Sequence, residues 1–185
     1  SLIVGASDVY KRQAYYRLML VELLPEEISR ILYLDCDMIV TGLLRPLWDV
    51  DMNGKAVAAV MDNLFFTPET FSRLSLPVGD GYFNSGTLLI NLDYWRKVDV
   101  FGKALRITET KSDILLWHDQ DILNLLFHKC WLRLPYRWNV MNTLMRPFPY
   151  YTPELLKEID KEIEERVIIH YTCAWKPWIL SLIHI

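Results

Sequence analysis

Two aspartates one residue apart, Asp35 and Asp37, follow an apolar run in the segment that reads ILYLDCDMIV at residues 31–40. Residues i and i+2 of an extended chain point to the same side, so both carboxylates could bind one divalent cation. Without an ion, two acids leaving a buried strand repel one another and lose hydration. The alternative is a pair of solvated loop acids, because a short Asp-x-Asp pattern also arises by chance.

The segments that must position these acids alternate between strands and helices. Apolar runs without alternation, typical of strands buried on both faces, occupy residues 31–35, 55–61, 86–92 and 167–171. Helices are predicted over residues 14–24 before Pro25, from Tyr94 with Asp93 as its cap, over residues 119–128, and from Thr152 and Pro153. This order favours an α/β fold with a mostly parallel central sheet flanked by helices.

Composition limits the classes of function. The chain has 185 residues, 52% of them hydrophobic, which fits one globular domain. A formal net charge of −3 gives no general attraction to nucleic acid. The three cysteines Cys36, Cys130 and Cys173 are too few and too scattered for a disulfide framework, which favours a reducing compartment. No apolar run approaches the roughly 20 residues needed to span a bilayer.

Two metal-dependent enzyme classes carry an aspartate pair after a hydrophobic strand. In haloacid-dehalogenase-like phosphatases the first acid, here Asp35, is the nucleophile and the second is a general acid. In nucleotide-sugar glycosyltransferases both acids bind the metal that holds the donor diphosphate. A phosphatase should also present a Ser/Thr motif, a lysine and a later acidic pair, and the sequence offers no convincing set.

Five ordered segments of this chain resemble the retaining glycosyltransferases of family 8, the bacterial galactosyltransferase and glycogenin group. They read LYLDCDMIV, PLWDVD, FNSGTLLINLDYWR, HDQDILN and HYTCAWKPW, within residues 15–178. The resemblance implies a GT-A type nucleotide-diphospho-sugar transferase fold. It also implies a metal site for Mn²⁺ or Mg²⁺ formed by Asp35, Asp37 and His170.

The same resemblance implies a donor-binding set and a catalytic pair. The donor-binding residues would be Arg17, Cys36, Asp62, Asn84, Ser85, Gly86 and Lys176, and the catalytic pair Asp119 and Gln120. Lys176 would neutralise the departing phosphate, and Gly86 would permit close approach of the backbone to the donor sugar. Cys173 stands where the family pattern has a glycine beside the phosphate, so a Cβ and a sulfur must be accommodated there.

The expected reaction moves a hexose from a UDP-sugar, UDP-glucose or UDP-galactose, to a glycan or lipooligosaccharide-type acceptor with retention at the anomeric carbon. We expect a same-face route, since an amide oxygen such as that of Gln120 is a poor nucleophile. The alternatives are the phosphatase and a non-catalytic sugar-binding protein of the same fold. We also expect a cytoplasmic protein, peripheral at the inner face of the membrane only through segments outside this chain.

Both ends of the chain look foreign to the domain. Residues 8–13 read DVYKRQ, and the reverse complement of one back-translation of that string encodes LSLIHI, which is residues 180–185. This inverted identity resembles a transposase adapter used in library preparation. We therefore predict that residues 1–13 and 180–185 are adapter-derived and that residues 14–179 are a partial glycosyltransferase domain whose N-terminal strand or strands are missing.

Overall fold

The computed structural model describes residues 16–63, 67–145, 152–172 and 176–178. Within these residues seven strands form two sheets. The strands are β1 (Arg30–Leu34), β2 (Met38–Val40), β3 (Val57–Met61), β4 (Phe83–Asn91), β5 (Trp131–Leu134), β6 (Val140–Met141) and β7 (Ile168–His170). The four segments predicted as strands correspond to β1, β3, β4 and β7. The two ends predicted to be adapter-derived, and Cys173, lie outside the described residues.

The described residues also contain seven α-helices around the sheets. They are α1 (Leu20–Leu23), α2 (Arg45–Trp48), α3 (Pro68–Leu74), α4 (Leu92–Lys97), α5 (Val100–Lys111), α6 (His118–Phe127) and α7 (Pro153–Glu164). A 3-10 turn, Arg17–Met19, leads into α1, so the first predicted helix is confirmed over its described part and ends before Pro25. None of the described helices has the length and apolar character needed to cross a membrane.

The cap predicted at Asp93 is wrong. Helix α4 begins at Leu92, and the Oδ1 atom of Asn91 accepts the hydrogen bond from the Tyr94 backbone N–H at 3.0 Å. Asp93 lies instead in the first turn, where the helix dipole favours a negative charge. Asn and Asp are both good capping residues, so residue type alone does not choose between them.

The prediction of a mostly parallel sheet is wrong for the pairing of the first sheet. Its strand order is β1-β4-β3-β5; β4 runs antiparallel to both β1 and β3, and only β3 and β5 pair in parallel. Met61 at the end of β3 pairs with Phe83 at the start of β4, so the intervening chain returns at the same edge. A parallel pairing would need a crossover to the opposite edge.

Helices and the second sheet cover the two faces of the first sheet. Val57 and Ala59 of β3 pack into a cluster with α4 and α6, whereas Ala58 and Val60 pack into a cluster with α7 and the second sheet. This two-sided burial explains the continuous apolar runs of β3 and β4. Strand β1 is only half-buried and pairs with β4 alone among the described strands, so the predicted burial on both faces is wrong for β1.

The second sheet brings the end of the chain beside the aspartate pair. Strand β7 lies between β2 and β6, antiparallel to β2 and parallel to β6. His170 of β7 pairs with Met38, the residue after Asp37. The Asp35 backbone N–H donates to the Gly86 carbonyl oxygen at 2.9 Å, which ties the turn after β1 to the start of β4.

Candidate active site

Asp35, Asp37 and His170 converge where β1, β2 and β7 meet. One ligand atom from each lies within 4.8 Å of the others, so the three side chains could hold a metal ion. Cys36 and Asp37 lie in the turn that joins β1 to β2, so the prediction that an extended chain aligns the two acids is wrong. The two carboxylates meet because the turn directs both toward the imidazole that β7 supplies.

Among the described residues, hydrogen-bond donors contact one of the two oxygens of Asp35, Oδ1. Its Oδ1 accepts hydrogen bonds from Arg17 Nη2 and from the Tyr33 hydroxyl, each at 2.9 Å. The Arg17 guanidinium also lies over the Tyr33 ring, 4.4 Å from its centroid. Burial raises the pKa of Tyr33, which keeps the phenol a hydrogen-bond donor. The second oxygen, Oδ2, faces His170 Nε2 at 3.9 Å.

Asp37 divides its oxygens in the same way. Lys176 Nζ contacts Oδ2 at 2.5 Å. Oδ1 is buried and has no hydrogen-bond partner among the described residues, although His170 Nε2 lies 3.2 Å from it. Burial disfavours the charged carboxylate, but interactions with His170 and Lys176 outweigh this cost and hold the pKa of Asp37 well below its usual range.

This donor set fits a divalent cation. Asp35 Oδ2 and Asp37 Oδ1 lie 3.9 and 3.2 Å from His170 Nε2, and the hydrogen bonds from Arg17, Tyr33 and Lys176 go to the other oxygen of each acid. Carboxylate oxygens with an imidazole nitrogen suit first-row ions such as Mn²⁺, and the carboxylates also suit Mg²⁺. An ion would supply the partner that the buried Asp37 Oδ1 lacks.

The imidazole of His170 is buried and lies against Asn139 and Gly86. Its Nδ1 lies 2.9 Å from Asn139 Oδ1. The ring also packs against Gly86, where an added Cβ would lie only 2.3 Å from Cε1 and 2.9 Å from Nδ1. The space left by the missing side chain of Gly86 is therefore filled by the metal-site histidine. Close approach of the backbone to a donor sugar is therefore not needed to explain this glycine.

A second group of buried polar residues lies next to the metal cluster, and Arg17 joins the two. Arg17 Nε lies 2.9 Å from Asp119 Oδ2, while its Nη2 binds Asp35. Asp119 Oδ2 also accepts a hydrogen bond from Ser85 Oγ at 3.2 Å. Burial raises the pKa of Asp119 to about 6, against the lowering effect of the Arg17 charge.

The amide of Gln120 is engaged at both ends. Its Nε2 donates to Asp62 Oδ2 at 3.1 Å, and its Oε1 accepts from the Ser85 backbone N–H at 3.0 Å and from Asn84 Nδ2 at 3.2 Å. Asn84 Nδ2 also donates to Asp62 Oδ2 at 2.9 Å. The buried Asp62, Asn84, Ser85 and Gln120 therefore form one polar network at the ends of β3, β4 and α6.

Most of the predicted site residues come together in this region. The cluster contains Arg17, Asp35, Asp37, Asp62, Asn84, Ser85, Gly86, Asp119, Gln120, His170 and Lys176. Cys36 lies in the turn between the two aspartates with its side chain exposed. Asp121 is separate from this cluster, because it is fully buried and accepts hydrogen bonds from Arg73 and Tyr82.

Sequence reasoning missed two residues of the site. Tyr33 binds Asp35 and Arg17, and its position two residues before Asp35 on β1 was a usable signal, because alternate strand residues share a face. Asn139 contacts His170 and Asn84. It belongs to none of the five recognised segments, so no sequence signal was available for it.

The comparison with known families decides the class of protein. The family model described as glycosyl transferase family 8 matches residues 4–180. This chain belongs to glycosyl transferase family 8. General stress protein A of Bacillus subtilis (strain 168) is 33% identical over 181 residues, which are 95% of this chain and 62% of that protein. Lipopolysaccharide 1,2-glucosyltransferase of Escherichia coli (strain K12) is 34% identical over 173 residues, 93% of this chain and 51% of that protein.

The fold of this family 8 chain matches that of a solved relative. The galactosyltransferase LgtC, crystallised in complex with donor and acceptor sugar analogs, aligns with a TM-score of 0.76 and 32% identity, over 89% of this chain and 59% of LgtC. The predicted GT-A fold is thereby confirmed. The chain spans between 51% and 62% of the lengths of these three relatives.

Proposed function

We propose that this family 8 chain carries the donor site of a metal-dependent, retaining hexosyltransferase that uses a UDP-sugar, UDP-glucose or UDP-galactose. The observation that carries the proposal is the division of oxygens at the aspartate pair. Arg17 and Tyr33 take one oxygen of Asp35, Lys176 takes one oxygen of Asp37, and the remaining two face His170. Two relatives, a glucosyltransferase and a galactosyltransferase, support a hexose donor.

Mn²⁺ or Mg²⁺ would be held by Asp35, Asp37 and His170. Bound there, the ion would act as a Lewis acid that stabilises the charge of a departing diphosphate. The charge balance of the site supports binding of a divalent cation. The three carboxylates of Asp35, Asp37 and Asp119 outnumber the two cationic side chains of Arg17 and Lys176.

Lys176 is placed to contact the leaving group. Its ammonium lies against Asp37 and the Tyr171 carbonyl at the margin of the metal cluster and remains partly exposed. A diphosphate bound beside the three metal-site residues would compete with Asp37 for this ammonium. Lys176 would then neutralise charge as the bond to the sugar breaks.

The buried polar network offers a binding surface for the sugar hydroxyls. Asp62, Asn84 and Gln120 hold one another, while Asp119 is held by Arg17 and Ser85. Such prearranged donors and acceptors lose little side-chain entropy when a ligand binds. We assign the acceptor to the class of glycans or lipooligosaccharides, in line with the lipopolysaccharide enzyme among the relatives.

The contacts of the catalytic pair favour a same-face route over a covalent intermediate. The Gln120 amide oxygen accepts hydrogen bonds from Ser85 and Asn84, which further weakens a poor nucleophile. Asp119 is tied to Arg17 and Ser85. We therefore assign the acceptor's proton to the leaving diphosphate. A glycosyl adduct trapped on either side chain and found by mass spectrometry would contradict this route.

Turnover assays with variants test the proposed function. The complete protein should hydrolyse UDP-glucose or UDP-galactose slowly when Mn²⁺ is added, and chelation should stop the reaction. Asp37→Asn should lower kcat by about two orders of magnitude or more, because a metal ligand and its negative charge are lost together. Asp93→Asn, an exposed first-turn acid on α4, is the matched control and should leave turnover unchanged.

The alternatives give different results in the same assay. A haloacid-dehalogenase-like phosphatase would release inorganic phosphate with Mg²⁺ through a phosphorylated Asp35. A non-catalytic sugar-binding protein would bind the UDP-sugar without consuming it.

We also propose a cytoplasmic location, peripheral at the inner membrane face, and cell fractionation of the complete protein would test it.

A further inference from the structure

We infer that Asn139 is a positioning residue that selects the ring nitrogen which His170 offers to the metal. Asn139 is fully buried, and its Oδ1 lies 2.9 Å from His170 Nδ1. The inference rests on the proposed function, because it concerns the same metal site. Asn139 lies outside the set of Asp35, Asp37 and His170, and its contact assigns the hydrogen of the His170 ring to Nδ1.

The orientation of the neighbouring amide, Asn84, is fixed by a donor whose identity is not in doubt. The Gly86 backbone N–H can only donate, and it lies 2.9 Å from Asn84 Oδ1. The other end of the Asn84 amide, Nδ2, faces Asp62 Oδ2 at 2.9 Å, where a donor is needed. Asn84 therefore presents its oxygen, and not its NH₂ group, to Asn139.

That oxygen orients Asn139 in turn. Asn139 Nδ2 donates to Asn84 Oδ1 at 2.8 Å, which leaves Asn139 Oδ1 as the atom that faces His170. A reversed Asn139 amide would place two oxygens 2.8 Å apart in a buried site, without a proton between them. Because an amide oxygen only accepts, His170 Nδ1 must carry a hydrogen.

The consequence lies on the opposite side of the imidazole. With the hydrogen held at Nδ1, the Nε2 lone pair of His170 is available beside Asp35 Oδ2, 3.9 Å away, and Asp37 Oδ1, 3.2 Å away. A hydrogen bond to the second nitrogen of a metal-ligating histidine fixes its tautomer and its ring direction. The same chain of hydrogen bonds joins Asp62, in the proposed sugar site, to His170 in the metal site.

Nitrogen NMR on the unchanged protein tests the tautomer directly. The metal-free protein labelled with ¹⁵N at histidine is measured above the ordinary imidazole pKa of about 6.5, and His170 is assigned through the signal lost in His170→Gln. The Nδ1 resonance should fall in the range of a protonated ring nitrogen. An unprotonated Nδ1 would overturn the inference, and this result does not depend on any Asn139 variant folding.

A variant pair then tests the effect on the metal. Asn139→Leu keeps the branching and the number of side-chain heavy atoms but removes the acceptor. It should weaken Mn²⁺ binding in the presence of UDP by about 10–100-fold, measured from the EPR signal of free Mn²⁺. Asn91→Ala removes the N-terminal cap of α4, which lies at the opposite end of β4 from Asn84, and this variant should bind Mn²⁺ like the unchanged protein. Thermal unfolding verifies that both variants fold.

The outcomes separate the inference from the proposed function. If folded Asn139→Leu binds Mn²⁺ as tightly as the unchanged protein, Asn139 has no positioning effect and the inference is refuted. If the unchanged protein binds no divalent cation, the proposed function fails, while the NMR measurement still decides which nitrogen of His170 carries the hydrogen.

Discussion

Replacing Gly86 with alanine should disable the metal site while leaving most of the fold intact. An ideal Cβ at this position would lie 2.3 Å from Cε1 and 2.9 Å from Nδ1 of His170, and 2.8 Å from Cε of Met38. The methyl end of Met38 can rotate away. The imidazole cannot move as easily, because its Nδ1 lies within hydrogen-bond distance of Asn139 and the ring is buried.

The size of the effect follows from these distances. The His170 ring must retreat by about 1 Å to reach the ordinary carbon–carbon contact of about 3.5 Å. Metal ligands must be placed to within about 0.2 Å, so a shift of this size removes Nε2 from the coordination shell. We expect Mn²⁺ affinity to fall by at least about 100-fold, which corresponds to about 3 kcal/mol.

Stability should fall by less than this. Overpacking costs about 1–3 kcal/mol, and the reduced backbone entropy of alanine in a strand returns about 0.5–1 kcal/mol. Urea unfolding would measure the change in the free energy of unfolding, and titration calorimetry with Mn²⁺ and UDP would measure the change in Mn²⁺ affinity. Gly79→Ala is the matched control, because its Cβ would meet no atom within 4 Å.

The two measurements together can refute the reasoning. If Gly86→Ala binds Mn²⁺ with unchanged affinity and unfolds at the same urea concentration, then the imidazole does not occupy the space beside residue 86. A loss of affinity in Gly79→Ala of similar size would also refute it, because the effect would then not depend on contact with His170.

Three further predictions follow from contacts elsewhere. Arg73→Met should lower the free energy of unfolding by about 3–5 kcal/mol, because it leaves the fully buried Asp121 carboxylate without its cationic partner. Arg106→Met, which removes an exposed ion pair with Asp99, should lower it by less than about 1 kcal/mol. Equal effects of the two substitutions in urea unfolding would contradict this. In the metal-free protein, stability should fall as pH rises from about 4 to about 6, because folded Asp119 keeps a proton that the unfolded chain has released. Asp119→Asn should flatten that part of the thermal unfolding profile. Thr152→Ala removes the cap of α7 and should cost about 1 kcal/mol in urea unfolding, and no change would show that the cap is not needed.

The sequence predicted the elements of the fold better than their directions. Apolar runs identified β1, β3, β4 and β7, and the Thr-Pro start located α7. The antiparallel direction of β4 was missed, because a strand buried on both faces reads the same in either direction. Nothing in the local pattern of residues 62–82 distinguishes a return at one edge from a crossover.

The site was predictable in its residue types but not in its internal logic. The motif segments supplied the aspartate pair and His170, but their fit to an ion depends on which oxygen each partner occupies. Arg17 illustrates the difference, since without the family motif its place in a helical pattern reads as a solvated charge. In the structure it is buried, and it binds Asp35 and Asp119 at once. A sequence pattern cannot report such a bridge, because its partners lie 18 and 102 positions away along the chain.

The division of oxygens at the aspartate pair explains why the site tolerates so much negative charge before an ion binds. Arg17 and Tyr33 bind Oδ1 of Asp35, and Lys176 binds Oδ2 of Asp37. These outer oxygens are the ones that do not face His170. If these partners bound the inner oxygens, Asp35 Oδ2 and Asp37 Oδ1, which face His170, the cationic side chains would compete with a metal ion for them. Because they bind the outer oxygens, they reduce the repulsion between the acids and leave both inner lone pairs available. Arg17 and Lys176 therefore hold the two aspartates in place and leave them able to bind a metal ion.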